Sequence, residues 1–428
     1  MWRVTLVYGF AHLGKSLFWY SSEILFAFFL TEIAGLPAQE MGIVLATGFL
    51  VSAGIDLGMG YGLQRWLATA AAASRLQFVG SVLCSVAGLA VFFGASLPAP
   101  LRFGYAMVAG IGFRFAFAAY DIPQNALMAL GTTDPASRLR VASTRIWFSG
   151  AATLIVAATV GPLVAMHDGP GGIRFLLGLT ALFALVAIGS AGMLARVLRD
   201  RTAPDARRAQ ASRATTRASL PPALWLLLVV MVATSAFTPA FSKLEPYFAS
   251  YTLQSAWWGG AVMLAAAAGI LLGQPIWLRL CHVMRRATVM LGAALLQIVA
   301  LTGFALTAQS PLLAVVAALV FGLGNGGVGM VQWAVFSETV SGMAVSRAGP
   351  SYGLFAASGK IGFAAGGMLL AALLSRTDFR GAGNVDLPLM MCAIPTLGAV
   401  LVLGAAIGLR RLERGMTDAR SPGRTVAR

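Results

Sequence analysis

Apolar residues run in blocks of about 20 from one end of the chain to the other, separated by short polar breaks. The blocks fall at about 4–31, 39–63, 76–97, 101–130, 141–166, 173–196, 221–250, 256–280, 287–308, 311–337, 350–374 and 387–409. As a helix, each is long enough to cross roughly 30 Å of hydrocarbon. The pattern therefore predicts an all-α integral membrane protein with twelve transmembrane helices. His12, Lys15 and Glu23 interrupt the first block, which is also longer than the apolar core of a cleaved leader, so it is read as a membrane helix.

One polar interruption is much longer than the others. "RVLRDRTAPDARRAQASRATTRASL", residues 196–220, holds seven arginines and two aspartates and reads as a solvated linker. It divides the chain into residues 1–196, an N-terminal six-helix half, a basic cytoplasmic linker at 197–220, and residues 221–409, a C-terminal six-helix half. A polar, basic cytoplasmic tail follows at 410–428.

Composition agrees with the pattern. The 428 residues are 58% hydrophobic and 11% charged, and mean hydropathy is +0.80; a soluble chain carries about 25% charged residues. The net charge of +16 would suggest a nucleic-acid partner if it were clustered, but it is not. With both termini on one side, 22 of the 31 lysines and arginines fall on that side. Four (Arg102, Arg174, Arg376, Arg380) fall in loops on the other, and five lie within helices. The positive-inside rule makes the termini cytoplasmic, as in a multi-pass protein of a bacterial-type inner membrane. No nucleic acid is expected as a partner; membrane lipid is.

Several chemistries are not expected. Cys84, Cys281 and Cys392 show no CxxC spacing, so neither a disulfide framework nor a metal site is implied. There is no HExxH or GxSxG constellation, and the chain is not read as an enzyme. "GFAHLGKS" (Gly9–Ser16) matches a phosphate-loop pattern, but it lies inside the first apolar block, where helix formation uses the amides. Gly322, Gly324 and Gly327 match a dinucleotide pattern without a strand before them; they read as small residues that let helices pack closely.

The charges inside the blocks carry the chemistry. The chain has 28 arginines and only three lysines, Lys15, Lys243 and Lys360, and all three fall within predicted helices. The acids there are Glu23, Asp56, Asp121 and Glu245, with Arg114 and Arg145 completing the set. Each costs roughly 2.5–3.5 kcal/mol at a helix centre unless partnered or wet. Lys360 sits mid-span in "LFAASGKIGFAAGG". Lys243 is open to a second reading, snorkelling to the interface. Arg114 and Asp121 are seven residues apart on one helix face, so an ion pair between them is also open. Lys15, Trp19, Ser22 and Glu23 fall on one stripe of the first helix; an indole beside charged groups suits a sugar ring, and aromatic packing between helices is the alternative.

Four patches resemble the glycoside–pentoside–hexuronide:cation symporters of the major facilitator superfamily, the melibiose permease type. They are "YGFAHLGKS", "IDLGMGY", "YDIPQNALMALGTTDPASRLRVASTR" and "SYGLFAASGKIGFAAGG". Asp56, Asp121, Asp134, Arg145 and Lys360 fall on the family's positions. The resemblance implies the major facilitator fold, two six-helix halves, and cation-coupled transport by alternating access. It implies a cation-coupling site of Asp56, Asp121, Lys360 and Ser52, and a substrate site of Lys15, Trp19, Glu23, Asp121 and Arg145. Ser16 and Ser52 stand where the family carries acids. One carboxylate fewer weakens a hard-oxygen Na⁺ site, so H⁺ is expected ahead of Na⁺ as the coupling ion. No other cofactor is implied. The expected function is a symporter of a sugar-like or other polar organic solute. The alternatives are a proton-driven drug or metabolite exporter of the same fold and a lysolipid-type symporter.

Overall fold

The computed structural model describes residues 2–62, 69–130, 135–166, 170–200, 221–341, 345–381 and 385–419. Asp134, most of the linker (201–220) and the end of the tail (420–428) lie outside the described residues. Twelve membrane helices follow one another. They are α1 (Trp2–Ile24, prolonged through Phe26–Phe28 and Phe29–Ile33), α2 (Ala38–Gly62), α3 (Ala70–Phe93), α4 (Ala99–Leu130), α5 (Pro135–Ala158, prolonged by Val160–Met166) and α6 (Pro170–Val197). The second half has α7 (Pro222–Phe237, prolonged through Pro239–Tyr247 and Phe248–Thr252), α8 (Ala256–Val283), α9 (Arg286–Thr307), α10 (Pro311–Ser341), α11 (Val345–Leu374) and α12 (Asp386–Ala419). Eleven are long and apolar enough to cross a membrane. The remaining helix, α1, is the one whose interior is occupied by His12, Lys15, Ser16, Ser22 and Glu23, all buried.

The two halves are built alike at their first helices. α1 and α7 both end in a five-residue π-helical segment, Phe29–Ile33 and Phe248–Thr252, 219 residues apart. At the same offset each is followed by a residue with positive φ, Gly35 at 68° and Gln254 at 48°. Equivalent residues also meet: the rings of Phe28 and Tyr247 pack edge-on with centroids 5.2 Å apart, and the Tyr251 hydroxyl donates to Glu32. Contact between equivalent positions is what a pseudo-twofold axis between repeats produces. The axis passes through the end of the bundle opposite the chain termini, called the distal end below.

Within the first half α3 packs on α4 and α6, and α1 on α5 and α6; within the second α8 packs on α10, and α9 on α10 and α12. Between halves the main seams are α2 with α11 and α5 with α8. In "FGLGNGGVGM", Gly322, Gly326 and Gly327 serve the α8–α10 seam and Gly324 the α9–α10 seam. A Cβ on Gly322 would run into the Ala266 carbonyl oxygen, and one on Gly327 would lie 2.5 Å from the Trp277 ring. Gly9–Ser16 lies wholly within α1.

Backbone offers no relief at Gly322, so Gly322→Leu is expected to destabilise the protein by about 3 kcal/mol or more. Gly329→Leu, on the same helix with nothing within 4 Å of its Cβ position, is expected to be neutral. Thermal unfolding in detergent compares them, and equal midpoints would contradict this packing.

Candidate functional site

α1 lays its polar stripe against the interior, and each charge on it has found a partner on another helix. Lys15 Nζ lies 2.5 Å from Asp121 Oδ1 on α4 and donates to Asn125 Oδ1 at 3.4 Å. Asp121 and Asn125 are one helical turn apart, so they present adjacent acceptors to one ammonium. Beside them, Arg145 on α5 donates from Nε to His12 Nε2 at 3.2 Å, and His12 Nδ1 lies 3.2 Å from Gln124 Oε1. Because Nε2 accepts, the proton of a neutral imidazole is on Nδ1 and is donated to Gln124. Arg145 has no carboxylate partner among the described residues.

Lys360 on α11 crosses to the other half. Its Nζ lies 2.6 Å from Asp56 Oδ2 and donates to the Ser52 carbonyl at 3.3 Å. Ser52 and Asp56 are four residues apart on α2, so both face α11. The ion pair is partly wet, each side chain being 14% exposed, and Asp121 is 28% exposed. Asp121 lies within electrostatic range of Lys360 without bonding to it.

Further along α1, Trp19 is half-buried in an aromatic box. Its ring centroid lies 5.5 Å from that of Phe117, 5.8 Å from Phe363 and 6.5 Å from Phe49. The buried Arg114 guanidinium stacks over Phe49 at 3.9 Å, a cation–π contact that desolvation strengthens. Glu23, about 12 Å beyond Lys15 along the helix axis, receives two bases. Lys243 Nζ lies 2.9 Å from Glu23 Oε2 and donates to the Glu23 carbonyl at 2.9 Å, while Arg114 lies 3.7 Å from Oε1. Lys243 and Glu23 are both sealed from solvent.

The distal rim closes over this. Thr31 and Tyr247 share a 2.6 Å hydrogen bond; Glu32 pairs with Arg380 at 2.9 Å and accepts from Tyr251. Every one of these links joins one half to the other. Asp56, Asp121 and Lys360 are thus partly exposed, whereas Glu23 and Lys243 are buried.

The residues expected at the two sites (Lys15, Trp19, Glu23, Ser52, Asp56, Asp121, Arg145 and Lys360) lie on this interior surface, with Asp134 outside the described residues, and two of the pairings left open from sequence are decided here. Arg114 does not pair with Asp121; it turns towards α1, to Glu23 and Ser22, because Lys15 already occupies Asp121. Lys243 does not snorkel: it is buried against Glu23. Sequence reasoning missed the His12–Arg145–Gln124 chain, the box partners Phe49, Phe117 and Phe363, and the Glu32–Arg380 latch. His12 could have been found, since it lies three residues before Lys15 on the same stripe. Nothing local connects Glu32 to Arg380, 348 residues away.

Two pseudo-symmetric six-helix halves sharing an interior charged surface are the architecture of the major facilitator fold. A family profile described as "MFS/sugar transport protein" matches residues 7–413, and the chain belongs to that family. Among similar proteins, an uncharacterized symporter, YjmB of Bacillus subtilis (strain 168), is 26% identical over 257 residues, covering 58% of this chain and 54% of the relative. A putative glycoside/cation symporter, YagG of Escherichia coli (strain K12), is 23% identical over 159 residues, 37% of this chain and 35% of the relative. The chain thus matches about half the length of the first and a third of the second. A D-xylose–proton symporter structure superposes with TM-score 0.69 at 13% identity, covering 94% of this chain and 97% of that one. A bacterial homologue of the iron transporter ferroportin in an inward-facing state gives TM-score 0.64 at 14% identity, covering 94% and 98%. At these identities the structures establish the fold alone.

Lys243→Ala leaves Glu23 with only the more distant Arg114, and is expected to cost about 3–5 kcal/mol. Arg380→Ala removes a two-point partner from Glu32, whose side chain is only 5% exposed, but leaves the Tyr251 hydroxyl on that carboxylate, and is expected to cost less, about 1–3 kcal/mol. Thermal midpoints of the two variants test the assignment, and equal losses would contradict it.

Proposed function

We propose that the protein is a secondary active transporter, a proton-coupled symporter that moves a sugar-like or other polar organic solute by alternating access. It would sit in a bacterial-type inner membrane, both termini and the 197–220 linker cytoplasmic, with residues 1–196 and 221–409 as the two moving halves. The observation that carries this reading is the Lys360–Asp56 pair, a wet ion pair that crosses between the halves. The names of the two relatives, symporter and glycoside/cation symporter, support it.

The chemistry is as follows. In the empty carrier Lys360 serves as the cation for Asp56. A proton arriving at Asp56 neutralises it and frees Lys360, so the cost of parting the halves falls only when the ion is bound. Asp121 is held by Lys15 in the same way and lies in the field of Lys360, so the two aspartates sense each other's charge. Binding of ion and solute is thereby coupled through one change of state. H⁺ is favoured over Na⁺ because a lysine ammonium occupies the place beside each aspartate. The other nearby oxygens are the neutral carbonyls of Ser52 and Asn125, and Na⁺ prefers several hard oxygen ligands.

The solute would stack on Trp19 and its aromatic neighbours. Among the described residues, five bases (Lys15, Arg114, Arg145, Lys243, Lys360) face three acids (Glu23, Asp56, Asp121) on the interior surface, and Arg145 is the base without a carboxylate partner. An acidic solute whose anion reaches Arg145 would balance the surface, so acidic sugars are expected to compete better than neutral ones.

The test is uptake by the full chain in proteoliposomes over a panel of neutral and acidic sugars, with imposed proton or sodium gradients. Accumulation driven by the proton gradient is expected. Asp121→Asn and Lys360→Ala should each abolish accumulation while still inserting; normal accumulation by either would refute the proposal. Accumulation in energised everted vesicles would instead establish export, and uptake confined to lysolipids would establish the lipid reading.

A further inference from the structure

Glu245 is the one intramembrane acid that the transport scheme does not use. It is fully buried on α7, and neither carboxyl oxygen has a hydrogen-bond partner among the described residues. Its neighbours on the helix explain its position. Lys243 and Tyr247, four residues apart, face α1 and form cross-half links to Glu23 and Thr31. Glu245, between them in sequence, points the opposite way, to the first turn of α8. A Cβ on Gly259 would lie 3.2 Å from Glu245 Oε1. The next residue, Gly260, touches the first half: a Cβ there would lie 3.3 Å from the Gly161 Cα on the outer piece of α5. Glu245 is therefore one residue from the distal α5–α8 seam, the contact that must part when the distal end opens.

Titratable groups on the elements packed around α7 are committed elsewhere or remote. On α1, Glu23 is held by Lys243 and Arg114, and Glu32 by Arg380 and Tyr251. Lys360 on α11 holds Asp56. Arg145 on α5 is bound to His12, Glu338 near the end of α10 is paired with Arg286, and among the described residues α8 brings Arg279, Cys281 and His282, about 30 Å from Gly259 along the helix. α12 brings Asp386 at its first residue, Cys392 one to two turns on, and Arg410, Arg411 and Glu413 at its far end. None makes an ion pair or hydrogen bond with Glu245 among the described residues. A bare carboxylate so enclosed costs several kcal/mol, far more than the neutral acid.

We propose that Glu245 is a proton-binding site that gates the distal end. The distal end seals with a proton on Glu245 taken from water on the distal side. When the α5–α8 seam parts, water reaches the carboxyl and the proton returns to that same side. No proton is carried across by this step, so it is distinct from coupling at Asp56 and independent of which solute is transported. Acidity on the distal side favours the closed arrangement. One bound proton changes the closed-to-open ratio by about tenfold per pH unit above the range where the open state titrates.

The test measures the distal opening directly, without substrate. Spin labels at Ala99→Cys and Gln309→Cys, exposed distal positions on opposite halves, are placed in the full chain with Cys84, Cys281 and Cys392 replaced, in lipid nanodiscs. The long-distance population is expected to grow with pH. Glu245→Gln should lose about tenfold per pH unit of that dependence and stay more closed at high pH, while Glu245→Asp should retain the dependence. Titration of Asp56 or Asp121 is common to all three proteins and cancels in the comparison. An unchanged pH dependence in Glu245→Gln would overturn the proposal. Should Glu245→Gln fail to fold, infrared spectra decide. The closed protein should show the carbonyl stretch of a dry, neutral carboxyl that Glu245→Asp shifts, and an unshifted spectrum would overturn it.

Discussion

The structure depends on the need to neutralise charge that lies too deep in the membrane to reach bulk water. Among the described residues three ion pairs join the halves, and in each the acid belongs to the first half and the base to the second: Asp56 with Lys360, Glu23 with Lys243, and Glu32 with Arg380. Parting the halves anywhere along this line strands a carboxylate on one side and a base on the other. The penalty is steep for the buried pair Glu23–Lys243. At the rim Arg380 is 53% exposed but the Glu32 side chain only 5%, so separating these two buried acids from their bases is what holds the distal end shut.

Such an arrangement is useful only if something can remove the penalty. On the proposed reading, a proton bound at Asp56 would do so, because it would cancel the acid before the base departs, and the remaining pairs would be hydrated as the distal seam separates. The repeat makes this separation a rigid-body event: matching π-helical segments and matching positive-φ residues end α1 and α7, and the contacts between Phe28 and Tyr247 and between Glu32 and Tyr251 lie on the axis itself. Rocking one half away from the other at the distal end would break them together.

The twelve helices are legible in the sequence because an apolar block of membrane length has few other outcomes. The interior surface is legible for a related reason. A charge in such a block must be partnered or wet, so Lys15, Glu23, Asp56, Asp121, Arg145 and Lys360 could be collected without knowing how they meet. Their pairing was not legible. Arg114 has Asp121 on its own helix face, yet it goes to Glu23, because Lys15 from α1 reaches Asp121 first. Lys243 could have snorkelled; only the position of α1 beside α7 gives it Glu23 instead. Partner choice is set by which helices are neighbours, and that information is spread over separations such as the 348 residues between Glu32 and Arg380.

The central claim is that Lys360 stands in for the coupling ion at Asp56. Asp56→Asn tests it most directly, since it removes the charge that both would neutralise and keeps the side-chain volume. Solute flux into proteoliposomes should then show downhill movement without accumulation, unaffected by the size of the proton gradient. Accumulation by Asp56→Asn that still rises with the proton gradient, as in the unaltered protein, would contradict the account.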